Sequence, residues 1–120
     1  MTILAPDPLT LVAAARIMRE AVRDRSYEET LLGPAVKDYL AWKRLSGAAE
    51  RTLDQYERDL SRACVLYADK GLGELTSEDL LHVLESFPRK SQRRARAPLA
   101  AFFRWAYLWR KIEENPMLRL

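Results

Sequence analysis

The chain is poor in the residues that most chemistry needs. Cys64 is its one cysteine, which excludes an intramolecular disulfide and any cysteine-rich zinc site. His82 is its one histidine, so a multi-histidine metal centre and a histidine pair for acid–base work are excluded. Glycine is scarce and β-branched residues are few, which argues against a sheet. No apolar run is long enough to span a bilayer. The longest near the N-terminus, Leu9–Ala15, is short and is stopped by Arg16. A secretory leader wants basic residues ahead of its apolar run, and here Asp7 stands there instead. The expected location is the cytoplasm.

One further absence is local. From Arg89 to Lys111 there is no Asp or Glu, while Arg89, Lys90, Arg93, Arg94, Arg96, Arg104, Arg110 and Lys111 all fall inside that stretch. The preceding stretch, Glu74 to Phe87, is its converse: Glu74, Glu78, Asp79 and Glu85 with no Lys or Arg. A formal net charge of only +3 therefore hides a polarised chain. A block of positive charge beside aromatic residues suits a polyanion, and nucleic acid is the usual one.

What is present favours helix. Ala, Leu, Arg and Glu dominate, and 120 residues with 48% hydrophobic content suffice for one helical core. Met1–Pro8 reads as a lead-in. Leu9–Arg25 reads as a helix with Ala14, Ile17, Met18, Ala21 and Val22 on one face, and Arg16, Arg19, Glu20 and Arg23 on the other. After a break, Pro34 suits the first turn of a second helix, Gly47 its stop, and Val36, Tyr39 and Leu40 its apolar side. A third helix is expected from about Ala49 to Lys70, ended by Gly71, with Leu53, Tyr56, Leu60, Ala63 or Cys64, and Tyr67 as its stripe. Thr76, Ser77, Glu78 and Asp79 make a capping-box-like start for a fourth, which Pro88 closes. A fifth should run from near Ser91 to Lys111, burying Leu99, Phe102, Phe103, Ala106 and Tyr107. Pro98 inside it predicts a kink or a two-part helix. The fold class expected is all-α. Residues 1–33 form an N-terminal extension with a helix, and 34–120 form the main domain.

No catalytic centre assembles from this pattern. The carboxylate pairs Glu28-Glu29 and Glu78-Asp79 are adjacent in sequence, so their side chains diverge on a helix, and both sit where acids favour a helix start. Ser46-Gly47 lacks the glycine that precedes a nucleophile elbow, and Gly71-Leu72-Gly73 lacks the third glycine of a phosphate loop. No cofactor, metal or small-molecule substrate is implied. Nucleic-acid binding is the stronger reading. Arg93, Arg94 and Arg96, behind Arg89, Lys90, Ser91 and Gln92, gather at the start of the last long helix, where the backbone donors add to the pull on phosphate. Arginine also fits the guanine edge and Gln92 the adenine edge in a major groove. Arg51, Gln55, Arg58 and Arg62 share a second helical face, with Thr52 beside it, although Asp54, Glu57 and Asp59 interrupt the neighbourhood.

Five short motifs then stand in order: Val36-Lys37-Asp38-Tyr39-Leu40; Glu50-Arg51-Thr52-Leu53 leading to Tyr56 and Asp59-Leu60; Leu75-Thr76-Ser77-Glu78-Asp79-Leu80; Ala101-Phe102-Phe103-Arg104-Trp105-Ala106; and Asn115-Pro116. Together they resemble the N-terminal core-binding domain of tyrosine recombinases, the phage-integrase family, over Gly33 to Leu118. The resemblance implies a compact four-helix, SAM-like bundle that clamps one side of double-stranded DNA opposite a catalytic domain. A linker after Asn-Pro joins the two. The family's catalytic residues would lie beyond Leu120, so the domain is non-catalytic by itself, and its implied partners are DNA, that catalytic domain and neighbouring recombinase protomers. It also implies that Thr52 and its neighbours approach the phosphate backbone and that Ser91 to Arg96 approach the groove. Two positions depart from the pattern: Ala49 stands where the family often has serine, and Pro98 interrupts the last helix. Two other readings remain open. One is a helical protein–protein interaction module using Trp109, Leu118 and the first helix. The other is a helix-turn-helix regulator turning at Phe87-Pro88-Arg89-Lys90.

Overall fold

Leu32, Ala35, Val36 and Tyr39 lie on one side of the first described helix and are all buried there. In the computed structural model residues 30–120 are described; the helix expected over Leu9–Arg25 lies outside the described residues. Helix α1 (Leu32–Leu45) begins two residues ahead of Pro34, which occupies its first turn, where no intrahelical N–H is needed. It ends at Leu45 with Ser46 as cap, and Gly47 just beyond, with a φ of 97°, lets the chain turn back in a conformation that strains any residue with a side chain.

Helix α2 (Glu50–Leu66) starts from Ala49, which offers no side-chain cap. Leu53, Leu60 and Ala63 are buried, and Tyr56, Cys64 and Tyr67 pack half-buried around them. The helix stops at Leu66, short of the expected Lys70, because Tyr67 leaves the helical region with φ −125° and ψ 42°. A 3-10 turn (Leu72–Glu74) follows. Helix α3 (Ser77–Glu85) opens with a reciprocal capping box: the Asp79 N–H donates to the Thr76 hydroxyl at 3.1 Å, and the Thr76 N–H donates to the Asp79 carboxylate at 3.0 Å.

Helix α4 (Arg89–Leu108) packs on each of the other three helices and is the spine of the bundle. It runs as one helix of 20 residues through Pro98 rather than as two. The reason is packing. Ala95, Pro98, Leu99, Phe102, Phe103, Trp105 and Ala106 are all buried. Each large apolar side chain removed from water contributes about 1.5–3 kcal/mol, which offsets a proline cost of roughly 3 kcal/mol. Tyr107, expected inside, is exposed, whereas Trp105 is buried, as expected of the inner member of the pair it forms with Trp109 four residues on. A closing 3-10 turn (Pro116–Arg119) is started by Asn115, whose side-chain oxygen accepts from the Met117 N–H at 3.0 Å.

The described residues thus form an all-α four-helix bundle with no strand; one isolated bridge pairs Leu31 with Gly71. Its core is aromatic at one end. The Tyr39 ring lies edge-on to Phe102 at 5.6 Å and 5.3 Å from Trp105, and burial pushes the Tyr39 phenol up to about 12. Trp105 is buried with its indole N–H unpaired among the described residues. No described helix is long and apolar enough to cross a membrane.

Candidate nucleic-acid interface

Successive residues on a helix point about 100° apart, so a run of arginines need not share a face. At the start of α4 they do not. Arg94 turns toward α2, where its Nη1 donates to both oxygens of the Asp59 carboxylate at 3.1 and 3.4 Å. Arg96 turns away and donates to the main-chain carbonyl of Leu120. Arg93 is exposed between these directions and has no ion pair or hydrogen bond among the described residues. The same holds for the side chains of Arg89 and Lys90 on the preceding turn, both exposed. Ser91 and Gln92 are half-buried: Ser91 closes the turn with its N–H on the Pro88 carbonyl at 2.7 Å, and the Gln92 amide donates to the Phe87 carbonyl at 3.1 Å.

On α2, Gln55 donates to both Asp59 oxygens at 3.1 Å, so Gln55 and Arg94 grip one carboxylate from two helices. Asp59 is 3% exposed and is the one charged residue in the described core. Arg62 reaches the α3–α4 turn. Its Nη1 donates to the Ser86 carbonyl at 2.6 Å and its guanidinium lies 4.4 Å from the centre of the Phe87 ring. Arg58 leans back on its own helix, donating to the Asp54 carbonyl at 3.4 Å. Arg51 is exposed and Thr52 half-buried, neither with a side-chain partner among the described residues.

These contacts fix how the two basic stretches sit. The Asp59–Arg94 pair and the Arg62–Ser86 bond lock α2 against the turn that leads into α4. Of the α2 stripe, Arg62 therefore lies beside the turn that opens α4, whereas Arg51, eleven residues earlier, stands about 16 Å back along the helix. Arg62, Gln55, Gln92 and Arg94 spend donors on the fold, while Arg51, Arg89, Lys90 and Arg93 keep theirs toward solvent. Arg94 does both, being half-exposed with only Nη1 engaged. Asp59 is the residue that sequence reasoning treated as an interruption. Its signal was its place beside Leu60 on the buried stripe, where an unpaired carboxylate would be costly and a cation must come from elsewhere in the fold.

Acids are not confined to one side: Glu50, Asp54 and Glu57 are exposed on α2 itself and Glu85 at the end of α3, while others gather elsewhere. Asp79 bonds to Lys70 at 2.6 Å, and Glu74, Glu113 and Glu114 line a cleft at the C-terminal turn. Burial pushes the Cys64 thiol up, toward its unreactive protonated form. No protein-family model, curated protein or solved structure matches the chain.

Proposed function

We propose that this chain is a non-catalytic DNA-binding module, with double-stranded DNA held on the face shared by α2 and the head of α4. The supporting observation is the lock between Asp59 and Arg94, which joins α2 to the head of α4 while Arg51, Arg89, Lys90 and Arg93 stay exposed and unpaired among the described residues. Cations held at fixed separations on a rigid scaffold displace condensed counterions from a duplex with little ordering cost. The N-terminal turn of α4 adds unpaired backbone donors at the same place.

The motif order from Val36 to Pro116 favours one type of module, the SAM-like core-binding domain of a tyrosine recombinase, with DNA gripped between it and a catalytic domain. Affinity of the isolated module is then mostly electrostatic. A second reading, a helix-turn-helix regulator, draws on the three residues, Ser86 to Pro88, that separate α3 from α4. Both readings bring the same end of α4 to the duplex.

The test is fluorescence anisotropy of a labelled duplex at several salt concentrations. Wild type binds at low salt with a steep salt dependence, and Arg89→Ala with Arg93→Ala weakens binding and flattens that dependence while the melting temperature holds. Equal binding by the double variant, or no binding by wild type at low salt, rejects the proposal.

A further inference from the structure

Arg94 differs from the other exposed cations at the head of α4 in being held by a buried acid. Its Nη1 donates to both oxygens of Asp59, and the Gln55 amide donates to the same two oxygens at 3.1 Å. The carboxylate is buried, so the fold fixes where those acceptors stand. The Arg94 side chain is nonetheless 49% exposed. Only Nη1 is engaged; Nε and Nη2 have no partner among the described residues. Those two atoms form one flat edge of the guanidinium, whose parallel N–H donors match a pair of adjacent acceptors. Arg89, Lys90 and Arg93 have no such anchor and must freeze several rotamers when they bind.

A duplex offers two such acceptor pairs: the oxygens of a phosphate, and O6 with N7 of guanine in the major groove. Charge separates them. Asp59 neutralises Arg94 at contact distance, so the pair has little net pull on a phosphate, while the directional donors of the free edge remain. The unpaired Arg89, Lys90 and Arg93 are the better phosphate ligands. Gln92, the other side chain that the sequence offers to a base, has its amide on the Phe87 carbonyl at 3.1 Å. The acids of α2 stand on the far side of their helix. At about 100° per residue, Gln55 and Arg62 fall within about 60° of Asp59, whereas Glu50, Asp54 and Glu57 fall about 140–180° away. Glu85 ends α3 next to Ser86, whose carbonyl accepts from Arg62, so a cation stands at that end too.

We propose that Arg94 reads a guanine in the major groove through its Nε–Nη2 edge, and that Asp59 and Gln55 are the positioning residues that hold this edge. The inference rests on the duplex-binding reading above and adds a preferred base to it. The first two turns of α4 enter the groove, and Arg89, Lys90 and Arg93 take the flanking phosphates. An arginine already held by a carboxylate loses little freedom on binding. Leaving Asp59 would strand a buried charge, so Arg94 keeps that partner when DNA is bound.

The test is selection of binding sequences from a random duplex pool with the full chain, then anisotropy on the selected duplex with guanine or 7-deazaguanine at the preferred position. The analogue lacks the N7 acceptor and leaves pairing and charge unchanged. Wild type selects a fixed guanine, and the analogue weakens binding about tenfold with the salt slope unchanged, in the range of one good bidentate base contact. Arg94→Lys keeps the charge but has no flat edge, and abolishes the discrimination. Asp59→Asn frees the guanidinium and lowers the discrimination at a temperature where circular dichroism shows the variant folded. Salt-sensitive binding without a preferred guanine, a preference indifferent to the analogue, or one that survives Arg94→Lys overturns the assignment and leaves duplex binding standing. Full discrimination in Asp59→Asn overturns the positioning role. Absence of wild-type binding at low salt rejects both this inference and the reading beneath it.

Discussion

Arg94 and Asp59 lie 35 residues apart in sequence and meet at 3.1 Å, the cation half-exposed and the carboxylate buried. That asymmetry predicts unequal costs for breaking the pair. Arg94→Met strands a buried carboxylate with only Gln55 as donor, and should cost about 3 kcal/mol. Asp59→Asn releases an arginine that water can solvate, and should cost about 1–2 kcal/mol. Urea denaturation of both variants checks the order, and equal losses would mean that the carboxylate is solvated after all.

Arg93 and Arg94 are sequence neighbours with different tasks. Arg93→Ala should leave the melting temperature in place and lower the salt slope of duplex binding by about 1, the value of one phosphate contact. Arg94→Ala should lower the melting temperature first. Binding and melting curves collected on the same preparations separate the two.

The start of α3 predicts a loss of stability in acid. Burial pushes the Asp79 carboxyl up, but hydrogen bonds from Lys70 and Thr76, together with the Lys70 charge, outweigh it and hold the group below its ordinary value of 3.8. A carboxyl depressed on folding contributes stability that is fully present above its unfolded value and fades as pH falls through the folded one. Thermal melts should therefore show a decline below about pH 4 that Asp79→Asn reduces. At neutral pH the same variant should cost about 1 kcal/mol, as the loss of a capping interaction does.

Trp105 offers the opposite kind of test. Its ring packs between Tyr39, Trp42 and Phe102, yet its N–H is buried without an acceptor among the described residues. Trp105→Phe keeps most of the packing and removes the unpaired donor, so its net cost should stay below about 1.5 kcal/mol. Trp105→Ala should cost about 3–5 kcal/mol. Chemical denaturation distinguishes them, and a phenylalanine variant as damaged as the alanine one would mean that the N–H is satisfied.

The helices were legible because their signals are local. Val36 and Tyr39, Leu53 and Leu60, Leu80 and Leu84, and Leu99, Phe102 and Ala106 repeat at helical spacing within their helices, Thr76 and Asp79 spell out a cap, and Gly47 marks a turn that few other residues can make. The end of α2 at Leu66 was not legible, since Tyr67 continues the apolar stripe beyond the point where the backbone leaves the helix. The continuity of α4 was hidden because local propensity at Pro98 argues for a break and only the buried neighbours argue against it. The basic residues were visible as a cluster in sequence. Their division into those that hold α2 to α4 and those that remain uncommitted depends on Asp59, Ser86 and Leu120, whose contacts with them are long-range.

Pro98 has no amide hydrogen, so the Arg94 carbonyl loses its rung in the ladder of α4. The helix therefore contains a built-in weak joint between its cationic head and its aromatic tail. Buried Ala95 and the Arg94–Asp59 pair span that gap, so the basic turn keeps its bearing on Phe102 and Trp105 through side chains where the main chain lacks a bond.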